Sequence, residues 1–204
     1  MMFTLLLASH NQDKAKELKA LLSGMNIQLL TLNDFPNIVP TIEDQDTISA
    51  NAMKKAFEAS LKTGLVSLAD DTGLFIKALN DKPGVYSARF AGEHCSYKDN
   101  RMKVLKLMEG INNRYAEFRT CVALSAPDGI ISFKIGILEG NITTEERGTN
   151  GFGYDSIFMP LPFNKTYAEM TDTEKNSISH RAKAIEAIIP IIKELIVSSK
   201  GGLQ

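Results

Sequence analysis

The sequence is short of net charge, of cysteine and of long hydrophobic runs, and each shortage removes a class of function. A formal net charge of −1 leaves no basic excess of the kind a general nucleic-acid binder carries. An anion site in this chain must therefore be a local cluster of cations rather than a global field. The two cysteines, Cys95 and Cys121, have no metal-ligand spacing, and a single disulfide is an unusual staple for a chain of this size. They read as reduced thiols of a cytoplasmic protein. The apolar start, Met1 to Ala8, lacks a basic flank and is too short to span a membrane, so it reads as a first core strand. No tract is of low complexity, and no segment repeats.

What the chain does have is the ordinary make-up of a soluble globular protein, 44% hydrophobic and 23% charged over 204 residues, enough for one sizeable core or one domain of two lobes spanning 1–204. Phe3 to Ala8 reads as a strand, followed by a helix over Gln12–Leu22 with Asn11 as N-cap and an apolar stripe of Ala15, Leu18, Leu21 and Leu22. Such a strand-loop-helix unit offers backbone N–H groups to an anion, with Lys14 as an added point charge. A second strand, Ile27–Leu32, precedes a proline-containing loop ending in Glu43-Asp44, then a helix over Thr47–Lys62 stopped by Gly64. A third strand runs through Leu65-Val66-Ser67-Leu68-Ala69 to Asp70 and Asp71, and Gly73 predicts a turn there. Ser96 with Asp99, and Thr171 with Glu174, read as capping boxes. Pro127-Asp128-Gly129 marks a hairpin whose second arm alternates Ile131, Phe133, Ile135 and Ile137, the pattern of a half-buried strand. The last helix runs over Ser179–Val197, facing Ala182, Ile185, Ile189, Ile192 and Ile196 inward, and Pro190 predicts a kink or a local break. Helices alternating with strands, plus one hairpin, predict an α/β fold with a mixed sheet.

The chemistry-bearing residues are the acids Glu43, Asp70 and Asp71 and the cations Lys14, Lys55, Lys175, His180 and Arg181. Together they point to a magnesium-bound polyphosphate, since magnesium takes one or two carboxylates plus phosphate oxygens and water. Each piece has a plainer alternative. Asp70 or Asp71 reads equally as a turn or helix cap, Lys175 and Arg181 as a solvated helix face, and His180 as a surface residue. The glycine-dense loop Gly148–Asp155 suits a planar ligand or simply an aromatic-plugged turn.

In order along the chain, Ser9-His10-Asn11-Gln12-Asp13-Lys14 with Glu17, Asn51-Ala52 with Lys55-Ala56, Ala69-Asp70-Asp71-Thr72-Gly73-Leu74 and Pro83-Gly84-Val85-Tyr86-Ser87-Ala88-Arg89-Phe90 resemble the inosine triphosphate pyrophosphatase family. Gly151-Phe152-Gly153-Tyr154-Asp155, Ala168-Glu169-Met170 and Lys175-Asn176-Ser177-Ile178-Ser179-His180-Arg181 extend the resemblance over nearly the whole chain. The resemblance implies an elongated mixed β-sheet flanked by helices, with two lobes around a central active-site cleft. It implies magnesium-dependent hydrolysis (manganese as a substitute) of ITP, dITP and XTP to monophosphate and pyrophosphate by a cytoplasmic homodimer. No nucleic acid or membrane partner is implied. Carried onto this chain, Asp71 is the proton acceptor and a metal ligand, with Glu43 and Asp70 as further metal ligands. Ser9, His10, Asn11, Gln12, Asp13, Lys14, Lys55 and Thr72 hold the phosphates. Phe152, Gly153, Tyr154, Asp155, Lys175, His180 and Arg181 form the purine pocket, and Ser87 and Arg89 belong to the cleft. Where relatives mostly carry glycine, this chain has His10, read as pointing to solvent.

Three other readings compete. A same-fold pyrophosphatase for pyrimidine or modified nucleotides and a nucleotide-binding regulator without turnover both keep the nucleotide site. Asp71-Thr72-Gly73 also matches the D-T-G of aspartic proteases, but it occurs once, in a helix-rich chain, and leaves the lysines unexplained.

Overall fold

The computed structural model describes residues 2–201. Seven strands and five α-helices alternate: β1 (Phe3–Leu7), α1 (Gln12–Leu21), β2 (Ile27–Thr31), α2 (Ile48–Thr63), β3 (Val66–Ile76), β4 (Lys82–Gly84), α3 (Tyr97–Leu107), β5 (Tyr115–Ala126), β6 (Gly129–Ile142), β7 (Phe158–Pro160), α4 (Asp172–Ile178) and α5 (His180–Gly201). The sheet order is β2-β1-β3-β5-β6-β7, with β4 paired to β3. β1 lies parallel to β2 and β3, while β4 is antiparallel to β3 and β7 to β6, so the sheet is mixed, as the alternation of elements predicts.

Two compact units divide the chain. One takes residues up to Asp71, Cys121–Gly136 and the chain from Arg181 onward; the other takes Thr72–Thr120 and Ile137–His180. The first unit explains why the two acids are placed as they are. The chain steps from β1 out to β2, then back across β1 to β3. With right-handed crossovers, this reversal sends the two connecting helices to opposite faces of the sheet. Leu18 and Leu22 of α1 join Leu5, Leu7, Leu68, Val122, Leu124, Ile185, Ile188 and Ile192 in one apolar cluster on one face. On the other face, α2 presents the small buried residues Ala52, Ala56, Ala59 and Ser60, and Ser67 Oγ donates to the Ala56 carbonyl. Each fully buried leucine contributes about 2 kcal/mol of transfer free energy, so the α1/α5 face is where this unit's stability concentrates.

The second unit is centred on Leu74, Val104, Met108, Phe118, Tyr154, Phe158, Tyr167 and Met170. Phe118 and Phe158 rings meet at 4.5 Å.

Three sequence-derived expectations are corrected. Gly73 does not turn the chain: β3 continues through it to Ile76. What Gly73 provides is room, because a Cβ there would stand 2.6 Å from the Gly84 carbonyl oxygen of β4. The row Ile131, Phe133, Ile135 and Ile137 alternates as a strand should, but it points outward, with Phe133 44% and Ile135 47% exposed. Periodicity fixes the spacing of the apolar face and not its direction. Finally, the inward face of α5, a helix that continues through the exposed Pro190, differs from the expected one. Ile188 takes a core position on that helix, while Ile189 is only half-buried.

Candidate active site

In the first unit α1 begins where β1 ends, beside β3. Leu7 pairs with Leu68, and the Ala8 N–H donates to the Leu68 carbonyl. This is the point at which the order β2-β1-β3 reverses, the position where open α/β sheets bind ligands beyond their strand ends. Asn11 caps α1, its Oδ1 accepting from the backbone N–H groups of Asp13 and Lys14 at 3.0 and 3.1 Å, and Ser9 Oγ accepts from the Asn11 N–H at 3.1 Å. The Asp13 and Lys14 backbone donors of the first turn are thus already engaged by the cap side chain. His10, Gln12 and Asp13 face solvent.

Asp70 and Asp71 follow the strand period and serve opposite faces. Asp70 Oδ2 accepts from Arg181 Nη2 at 3.0 Å and Nε at 3.3 Å, and pairs with Lys14 Nζ at 3.3 Å. Arg181 Nη1 donates to Glu17 of α1, so a fully buried guanidinium is held between two carboxylates. Burial alone would raise the Asp70 carboxyl, but Lys14, Arg181 and Lys55 together hold it far below the usual carboxylate range. Arg181 is shifted further up, burial being outweighed by Asp70 and Glu17.

On the α2 side, Lys55 Nζ lies 2.9 Å from Glu43 Oε1 and 3.0 Å from Asp71 Oδ1. Burial lifts the Asp71 carboxyl above its ordinary 3.8, and Lys55 and Lys14 offset this only in part. Glu43 moves the other way: burial would raise it, but Lys55 and Lys14 bring it below 4.5. Two carboxylates on one ammonium are therefore shifted in opposite directions, Asp71 upward by burial and Glu43 downward by the lysines. Glu43 sits on an irregular loop that α2 holds from both sides. Asn51 Oδ1 accepts from the Gln45 N–H at 3.0 Å, and Lys54 Nζ donates to the Ile42 carbonyl at 3.0 Å and to Asp44 at 2.7 Å.

Among the described residues no three carboxylate, imidazole or thiolate side chains form a group able to hold a metal alone. Glu43 and Asp71, already sharing one cation, offer the hard oxygen pair that suits magnesium when phosphate oxygens complete the shell. Asp70 stands apart from that pair, its Oδ2 taken by Arg181 and Lys14.

The second unit gathers the remaining expected residues. Gly151 and Gly153, at φ of 74° and 61°, flank Phe152. A Cβ on Gly151 would meet Asp155 Oδ2 at 2.0 Å, so only glycine lets that carboxylate fold back to accept the Phe152 N–H at 2.9 Å. Lys175 Nζ donates to the same oxygen at 2.7 Å and stands 5.0 Å from the Phe152 ring centre. His180 is buried, stacked on Phe118 at 4.6 Å, with Nδ1 3.5 Å from the Tyr167 hydroxyl. Tyr154 is also buried, its hydroxyl donating to the Ser87 carbonyl at 2.8 Å. Ser87 Oγ in turn accepts from the Leu74 N–H at 2.8 Å and donates to the Gly84 carbonyl at 2.6 Å, a latch between strand and turn. Thr72 Oγ1 pairs with Thr120 Oγ1 at 2.6 Å, and Arg89 lies 5.3 Å over the Tyr86 ring.

Arg181 was expected with the purine set and lies instead with Asp70 and Glu17. Glu17 was absent from the expected site, although its spacing three residues after Lys14 on a helix places both on one face.

The chain matches the model of the Ham1 family over residues 5–191. It is 46% identical over 195 residues to the dITP/XTP pyrophosphatase of Elusimicrobium minutum, covering 93% of this chain and 99% of that protein. The dITP/XTP pyrophosphatase of Desulforamulus reducens is 43% identical, with 95% and 97% covered. Among solved structures, a HAM1 protein from Coxiella burnetii superposes with a TM-score of 0.86 at 38% identity, covering 95% of this chain and all of that one (100%). The Staphylococcus aureus Ham1 protein gives 0.83 at 32% identity, with 94% and 98% covered.

Proposed function

The chain belongs to the Ham1 family, and from that premise we propose that it is a nucleoside triphosphate pyrophosphatase acting on non-canonical purine nucleotides. It hydrolyses dITP, XTP and ITP to the monophosphate and pyrophosphate and so keeps these bases out of nucleic acid. The observation that carries the chemistry is the Lys55 ammonium seated between Glu43 and Asp71. Asp71, whose carboxyl is lifted by burial, takes the proton from the water that attacks the α-phosphorus, and the bond from that phosphorus to the bridging oxygen breaks as pyrophosphate leaves. Lys14 and Lys55 offset the phosphate charge, with Ser9, Asn11 and Thr72 as neighbouring polar contacts. Glu43 and Asp71 are the residues assigned to magnesium, which when bound neutralises phosphate charge and lowers the pKa of a coordinated water. Asp70 is assigned to fixing Lys14 and Arg181 rather than to the metal.

The second unit reads the base. Phe152 stacks on the purine plane, and Lys175, held by Asp155, donates to an acceptor that a 6-oxo purine has and a 6-amino purine lacks. Tyr154 and His180, both buried in this unit, are assigned to the same pocket. For quaternary structure we assign self-association to the outward row Ile131, Phe133 and Ile135, an exposed apolar strand face of the kind that marks an interface. Free Cys95 and Cys121 accord with a cytoplasmic setting, and among the described residues no helix is long and apolar enough to cross a membrane.

The deciding experiment is a panel of dITP, XTP, ITP, dGTP and dATP with pyrophosphate and orthophosphate measured separately, repeated in chelator. Pyrophosphate from the first three, little from the last two, and loss of turnover without divalent metal are expected. Orthophosphate as the main product, or equal rates across the panel, would overturn the assignment, and undiminished rates in chelator would remove the metal.

A further inference from the structure

The loop that carries Phe152 is fastened to α3 by a residue that lies outside every motif of the resemblance. Arg101 Nη1 donates to the Gly153 carbonyl at 2.9 Å, while its Nε donates to Glu146. Glu146 Oε1 also accepts from Ser156 Oγ at 3.2 Å, so one ion pair grips the loop on both sides of Tyr154-Asp155. Gly153 has a left-handed backbone, and its carbonyl direction sets the plane of the peptide that follows Phe152 and Gly153. One turn earlier on α3, Tyr97 brings its ring to 6.0 Å from the Phe152 ring, tilted by 41°. The loop's other end is secured independently. Thr149 and Asn150 both donate backbone N–H groups to the Ala168 carbonyl, and a Cβ on Gly148 would fall 2.3 Å from Ala168.

We propose that Arg101 is a specificity-determining positioning residue, its fork between Glu146 and the Gly153 carbonyl holding the Phe152 ring and the Asp155–Lys175 pair ready for a 6-oxo purine. This rests on the assignment of Phe152 and Lys175 to the base. Arg101 touches neither phosphate nor reacting atoms in that scheme, and its contribution is uniform binding, made equally in ground and transition states. Loss of the guanidinium leaves the loop with its Ala168 anchor and its Asp155 fold-back, so the loop persists but its aromatic platform is no longer fixed beforehand.

The test compares Arg101→Ala, Arg101→Lys and Phe152→Ala in steady-state kinetics with dITP and dATP. Calorimetric binding of IMP to each variant supplies a readout independent of turnover. Arg101→Ala is expected to raise KM for dITP about tenfold, the scale of one charge-assisted hydrogen bond, with kcat within about twofold. The Kd for IMP should rise in parallel and the preference over dATP should shrink. Arg101→Lys keeps the pairing with Glu146 but not the fork, and should recover part of the loss. A fall in kcat with KM and IMP affinity unchanged would overturn the proposal, as would indistinguishable Lys and Ala variants. Should Arg101→Ala fail to fold, Arg101→Lys against Glu146→Gln decides the matter by the same KM and Kd readouts. If Phe152→Ala leaves KM and Kd untouched, the base assignment itself fails; if Phe152→Ala weakens binding and Arg101→Ala does not, only the role of Arg101 falls.

Discussion

Asp70 and Asp71 are adjacent in sequence and divided in duty. Asp70 takes its partners from α1 and α5, and Asp71 takes its partner from α2. Replacing Asp71 by asparagine keeps the volume and removes the base. We expect kcat to fall by about 10²–10⁴-fold while IMP still binds, a split that activity assays and calorimetry on the same preparation would measure. Full activity would exclude Asp71 as the base. Gly73 makes the second prediction at this scale. A methyl group there would stand 2.6 Å from the Gly84 carbonyl and 2.8 Å from the Phe75 ring, and the first of these is backbone that cannot step aside. Gly73→Ala should therefore destabilise the protein by about 1–3 kcal/mol, the range for overpacking, read as a lower urea midpoint. A midpoint equal to the parent's would refute the close approach.

At the scale of elements, helix ends are where charge meets stability. Asp34, Asp99, Glu169 and Glu174 each close a capping box, and each carboxyl is held below its ordinary value by hydrogen bonds from the cap residue. A carboxyl depressed in the folded state stabilises above its unfolded pKa and loses that contribution as pH falls through the folded one. For Asp99 the window opens below 3.8. Asp99→Asn should be less stable than the parent at pH 7, and the gap should close on acidification; a gap independent of pH would refute the cap's ionic character. Two of these boxes, those of Asp99 and Glu174, were legible in the sequence because they are local, while those of Asp34 and Glu169 were not read from it. Asn11 before α1, Ser96 with Asp99, Thr171 with Glu174, and Gly64 in its left-handed conformation all lie within four residues of what they cap. The site was legible as a set of residue types and not as a geometry. Nothing near Gly73 foretells that its neighbour is the carbonyl of Gly84, and nothing near Arg181 foretells Glu17, because both pairings are made by chain reversals rather than by adjacent residues.

For the whole molecule the same distinction decides the outer surface. The alternation in β6 was plain in the sequence, but which side faces the core depends on what packs there, and the apolar side came out exposed. Phe133→Glu sets a charge in the middle of that row. If self-association runs through that row, as proposed, it should lower the mass read by light scattering relative to the parent, without lowering the thermal midpoint by more than a surface substitution would. An unchanged mass would place self-association elsewhere.

The placement of the two acids on one strand ties the chemistry to a reading frame. One residue deleted between Val66 and Ala69 would slide Asp71 under Arg181 and leave Thr72 facing Lys55, so the base would vanish while its neighbours stayed in place. One residue inserted would set Ala69 beneath the guanidinium and Asp70 beside Lys55, leaving Arg181 with Glu17 but without its strand carboxylate. A change of length in that short stretch therefore moves one acid into the other's slot, sparing one cluster and emptying the other.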